Sequence, residues 1–174
     1  RIKNSRVFGT KLLAENLAAM ELSPKVLISA SAVGYYGDTG FRSVSEDSDS
    51  NLGFLAEVCR EWETATAPAR QGGIRVINFR IGIVLAAHGG ALAQMLLPFK
   101  FGLGGPIGTG GQGMSWIALD DLIRAMDHCL TTESLQGPVN AVSPNPVSNV
   151  EFTKTLGRVL RRPAFLPMPA FVAR

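Results

Sequence analysis

Residues 25–37 constrain the fold more than any other stretch. Lys25 leads into Val26, Leu27 and Ile28, and the run closes with Ser29, Ala30, Ser31, Ala32, Val33, Gly34, Tyr35, Tyr36 and Gly37. An apolar run this short, opened by Pro24 and ended by small residues, reads as a parallel strand covered on both faces. In open α/β sheets ligands sit beyond the carboxyl ends of the strands. The two serines and two tyrosines therefore fall where chemistry is expected.

The flanking patterns agree. Val7, Leu12, Leu13, Leu17 and Met20 recur at helical spacing over residues 4–20. Residues 52–70 read as one helix, with Leu55, Val58, Cys59, Trp62 and Ala65 on one face and Gly72 and Gly73 as its stop. Ile74 then opens a second apolar strand over residues 74–79, which residues 80–85 continue outward. Strand, helix and strand make a βαβ unit, hence parallel pairing. Beyond His88 a helix is expected over residues 89–100, a glycine-rich loop over 102–113 and a short strand over 114–119. Asp120 reads as the cap of a helix reaching Leu130, and residues 139–142 as strand-like. Ser148 with Glu151 reads as a capping box for a last helix over residues 150–160.

Charge and composition narrow the function classes. A net charge of +3 without a run of like charges gives little support to nucleic-acid binding; a site for an anionic cofactor, or a slightly basic surface, explains it. Cys59 and Cys129 lack CxxC spacing, which favours a reduced, cytoplasmic protein, and with only His88 and His128 besides no metal is expected. No apolar stretch approaches the roughly 18 residues a membrane helix needs. Gly108, Gly110 and Gly113 spell GxGxxG, but no strand precedes them and no helix opens from them, so a loop over a site is the better reading.

Several motifs together resemble extended short-chain dehydrogenases/reductases. They are residues 29–37 at the strand end, Arg6 to Thr10 in the preceding helix, and the Ser115-Trp116-Ile117-Ala118-Leu119-Asp120-Asp121 segment. Leu96-Leu97-Pro98-Phe99, the 102–108 glycine loop, Asn140-Ala141 with Pro144, and Arg162-Pro163 resemble the atypical subgroup of epimerase-family, sugar-nucleotide-epimerase-like proteins. The resemblance implies an α/β fold. Residues 1–85 would be the rear half of a Rossmann-like, doubly wound parallel sheet, and residues 86–174 a smaller substrate-side α/β region. It implies NADP or NAD as cofactor, a small-molecule substrate that could be a nucleotide sugar, and about 80–100 preceding residues carrying a GxxGxxG unit. The chain then looks like a fragment of such a protein. Missing strands would leave an unpaired edge, so self-association is expected.

In active relatives a Ser and a Tyr bond the reacting oxygen while hydride moves to or from the nicotinamide, and a Lys four residues on lowers the Tyr pKa from about 10. Ser31 fits the Ser position; a strand-end Ser bonded to backbone is the structural alternative. The Tyr and Lys positions fall at Leu55 and Cys59. Leu55 has no proton to give, and Cys59 cannot act as a fixed cation and suits an apolar stripe. Tyr35 and Tyr36 are substitute acids, or rings packed at the strand end. On the cofactor side the resemblance implies Arg6, Ala30, Arg80, Ile83 and Val84; on the substrate side, Gln112, Ser115 and Trp116. An altered oxidoreductase or epimerase is the leading reading, and a non-catalytic NADP-binding sensor or scaffold the alternative. A hydrolase pairing Ser31 with Asp121 and His128 lacks the GxSxG elbow.

Overall fold

The computed structural model describes residues 2–40 and 42–167. They form an α/β protein whose contacts divide into two compact units, residues 1–81 with 123–141 and residues 82–122 with 142–174. The single boundary expected after residue 85 is corrected in two ways. The chain leaves the first unit at Gly82, and residues 123–141 come back to it because they carry a strand of its sheet.

The first unit is built on β1 (Val26–Ala32), β2 (Arg75–Ile81) and β6 (Gly137–Ala141), in the order β1-β2-β6 and parallel throughout. The expected βαβ pairing is present: Leu27 lies beside Val76 and Ser31 beside Arg80. The crossover holds two helices, α2 (Phe54–Thr64) and α3 (Ala67–Gln71), where one had been expected. Pro68 explains the break. It fits the first turn of a new helix, where no N–H donor is needed, and cannot continue an old one. Ala14 and Leu17 of α1 (Ile2–Ala18) pack with Ala69, Ile74, Val76 and Leu27. Leu12, Leu13 and Met20, expected on the buried face of α1, are exposed. Arg75 ties the end of α5 (Leu119–Thr131) to β2 by donating to the Cys129, Leu130 and Leu135 carbonyls. A cation suits the negative end of a helix dipole.

The second unit holds two short ladders. β3 (Ile83–Leu85) pairs in parallel with β5 (Trp116–Ala118), and β4 (Gly113–Met114) pairs antiparallel with β7 (Val147–Ser148). β3 is therefore no continuation of β2. Gly82 separates them, and a side chain there would stand 2.7 Å from the Ser115 carbonyl oxygen. α4 (Gly90–Lys100) and α6 (Asn149–Leu160) complete the unit, with Phe99, Asn149 and Thr153 fully buried. The Ser148 hydroxyl accepts from the Glu151 N–H, as the capping pattern predicts. Asp120 does not cap α5: it lies inside the first turn, where its charge still suits the positive end of the helix. No described helix is long and apolar enough to cross a membrane.

Candidate functional site

Alternation along β1 puts Ser29 and Ser31 on one face of the sheet, and the parallel register sets Asn78 and Arg80 of β2 beside them. All four are buried, a polar row where the sheet would otherwise be apolar. The chain then turns through a 3-10 segment, Val33–Tyr36. The turn packs on α2, with Gly34 close to the Leu55 and Cys59 side chains, at a distance where an added methyl would make only ordinary contact.

Arg80 organises the cluster. It is 3% exposed, and it grips Glu63 of α2 bidentately, Nε to Oε1 at 2.9 Å and Nη2 to Oε2 at 3.0 Å. Its Nη1 donates to the Tyr36 hydroxyl at 2.8 Å and to the Glu46 carbonyl at 3.0 Å. Burial pulls the guanidinium pKa down, but the bonds from Glu63 and Tyr36 outweigh it and hold the charge more firmly than usual. The cation also stacks 3.5 Å from the Tyr35 ring centroid.

The hydroxyls are committed by this arrangement. A carboxylate only accepts, so the Ser31 hydroxyl donates to Glu63 Oε1, at 2.7 Å. Tyr36 accepts from Arg80 and donates to Asn140 Oδ1 at 2.7 Å, while the Asn140 N–H donates to Glu46 Oε1 at 2.8 Å. Cys59, 5% exposed, has its thiol pKa pushed up chiefly by burial, against a smaller opposing pull from the Ala32 backbone and Ser31. Leu55 is exposed at 62%, so the expected apolar stripe of α2 is corrected: Ala56, Val58 and Cys59 form the buried face.

The structure thus brings Ser31, Tyr35, Tyr36, Cys59 and Arg80 together in one unit. Ala30 points to the other face of β1 and is exposed. Arg6 lies apart, exposed on α1 with its guanidinium 5.2 Å from the Trp62 ring. Ile83, Val84, Gln112, Ser115 and Trp116 belong to the second unit. There Ile83 and Gln112 line one cavity; the Ser115 carbonyl accepts from the Ile83 N–H, and Trp116 donates to the Asn145 carbonyl. Among the described residues no group of three His, Cys, Asp or Glu could hold a metal. Sequence reasoning missed Glu63 and Glu46. Glu63 stands four residues after Cys59, hence on the same helix face, which was the available signal.

The comparisons add a family to this geometry. An epimerase family protein of Mycobacterium leprae is 46% identical over 173 residues, spanning 99% of this chain and 56% of its own length. The human epimerase family protein SDR39U1, solved with NADPH, superposes with a TM-score of 0.92 at 36% identity, covering 98% of this chain and 58% of that one. Over nearly its whole length the chain is similar to proteins named epimerase family. A nucleoside-diphosphate sugar epimerase of Corynebacterium glutamicum superposes on this chain with a TM-score of 0.83 at 43% identity, over 99% of it and 38% of the neighbour. The fold is accordingly Rossmann-like. No family model matches the sequence. The chain spans a little over half the length of the curated relatives it matches.

Proposed function

We propose that the chain is the catalytic-centre and substrate-side part of an NADP(H)-dependent oxidoreductase or nucleoside-diphosphate-sugar-epimerase-like protein whose active site lacks the Tyr-x-x-x-Lys pair. The observation that carries this reading is the close likeness to the human relative solved with NADPH. The residues fit such a cofactor. Ser29, Ala30 and Ala32 are small, and Ala30 is exposed, so a flat ring can approach the end of β1. The exposed Arg6 guanidinium suits a phosphate. The bound dinucleotide would supply or accept hydride. Ser31, its O–H already donated to Glu63, would meet substrate as a hydrogen-bond acceptor, and Tyr35 is the remaining phenol for proton transfer.

NADPH titration and turnover by a family-length protein, against ketones, alcohols and nucleotide sugars, test the reading. Saturable binding with turnover that falls on Ser31→Ala supports it; absence of NADPH binding overturns it. A second reading, a cofactor-binding protein without catalysis, is favoured by Leu55 and Cys59 at the acid and cation positions and by the committed Tyr36 hydroxyl. Binding without turnover across the panel would select it. The proposal includes a cytoplasmic location, from two cysteines that are both free, and self-association through β1, which ends the β1-β2-β6 order; a monodisperse monomer in light scattering would remove the latter.

A further inference from the structure

The second unit contains a half-open cavity of about 310 Å³, lined by residues of β3, α4, the glycine loop, β4 and α6. Its walls are Ile83, Leu85, Met95, Ile107, Met114 and Phe152, closed by Ala91, Gly113, Gln112 and Asn149. That size lies at the lower end of small-ligand pockets, roughly 300–1,000 Å³. Among the described lining residues none carries a charge.

The two side-chain amides on the wall are each tied to the protein. Asn149 is 2% exposed; its Oδ1 accepts from the Ile107 N–H at 2.7 Å, and its Nδ2 donates to Met114 Sδ at 3.4 Å. Gln112 Nε2 donates to the Ile107 carbonyl at 3.0 Å. The start of α6 pins the loop further, with Asn149 N–H to the Gln112 carbonyl and Val150 N–H to the Gly110 carbonyl, both at 2.9 Å. Gly110 permits the approach: its φ is +70°, and a side chain would collide with Val150. The wall is therefore held in place before any ligand arrives, which lowers the cost of binding.

We propose that this cavity takes an uncharged, apolar ring compound, an aromatic or alicyclic ketone or its alcohol, rather than a nucleoside diphosphate sugar. The inference rests on the oxidoreductase reading above for its meaning as a substrate site. A diphosphate carries charges that need cations or several donors when water is stripped away, and these walls supply no cation and at most the second N–H of two amides. The ring itself needs only apolar area, at about 25 cal/mol per Å² removed from water, and a single ketone or hydroxyl oxygen needs just one partner, which an amide of the wall can give. The geometry departs in this respect from what the name of the Corynebacterium neighbour would suggest.

The test is ligand titration of the chain followed by NMR, with acetophenone, 1-phenylethanol and UDP-glucose as probes. Acetophenone is expected to saturate and to shift signals of Ile83, Met95 and Phe152, whereas UDP-glucose leaves them in place. Ala91→Trp, at an exposed position in the first turn of α4, should weaken acetophenone at least tenfold, and Met95→Lys, checked for a native spectrum, should do the same. Shifts of those residues by UDP-glucose, or acetophenone binding indifferent to both substitutions, would overturn the proposal. NADPH titration of the family-length protein separates the two ideas: lost cofactor binding sinks the oxidoreductase reading, while UDP-glucose in the cavity with cofactor binding intact sinks only this one.

Discussion

The Ser31 hydroxyl donates a hydrogen bond to Glu63, across 32 residues of sequence, on the same carboxylate that Arg80 grips with two bonds. The residue that motif reasoning assigns to substrate is, in the fold, one of three hydrogen-bond donors to a half-buried carboxylate.

Replacing Ser31 by Ala should therefore cost stability as well as any turnover. A hydrogen bond to a charged group contributes about 1.5–3 kcal/mol. Urea denaturation of Ser31→Ala should show a loss in that range. A loss below about 0.5 kcal/mol would mean that the hydroxyl does not serve Glu63.

Glu63→Gln should be the more damaging change. It strips the counter-charge from a guanidinium that is 3% exposed, and breaking a buried pair from one side costs about 3–5 kcal/mol. The double variant Glu63→Leu with Arg80→Met removes both charges and should lose less than Glu63→Gln alone. Additive losses in a double-mutant cycle would deny the pairing.

Cys59 sets an alkaline limit. Its folded pKa is raised from 9.0, so the unfolded thiol ionises first. Its contribution is complete below that value and is lost as pH rises through the folded pKa. Cys129 is raised from 9.0 by burial as well, so the two should act in the same direction. Denaturation midpoints should fall on the alkaline side, and Cys59→Ala should flatten part of that fall. At neutral pH a thiol reagent should label both cysteines only after urea is added.

Gly105 should not tolerate a side chain. An added Cβ would run into the Leu166 carbonyl, and the Leu166 N–H is bonded to the Gly104 carbonyl at 3.2 Å. Gly105→Ala must push the two segments apart, at roughly 1–3 kcal/mol for an overpacked contact. Hydrogen exchange should accelerate at Leu166 while β1 and β2 remain protected; unchanged exchange at Leu166 would contradict the contact.

Local composition was enough for most of the elements. The apolar runs of β1 and β2 specify two strands, of which β2 is buried while β1, expected to be covered on both faces, is half-buried with Ala30 exposed, and Ser148 with Glu151 marks the start of α6, because strand formation and helix capping depend on neighbours within a few residues. Pro68 was also a local signal, and it divides α2 from α3. Tertiary contact decided the rest. Periodicity could not say that α2 buries Cys59 and exposes Leu55, since both lie on a plausible apolar stripe and the choice depends on which side meets the sheet and the 33–36 turn. Nor could it separate β2 from β3, because the close approach of the Ser115 carbonyl to Gly82 joins residues 33 positions apart only in the folded chain. The Arg80–Glu63–Ser31 cluster belongs to this second kind. Ser31 and Arg80 stand out singly and Glu63 reads as an ordinary helix carboxylate, and only their meeting in one place, where charge must find a partner, makes them a unit.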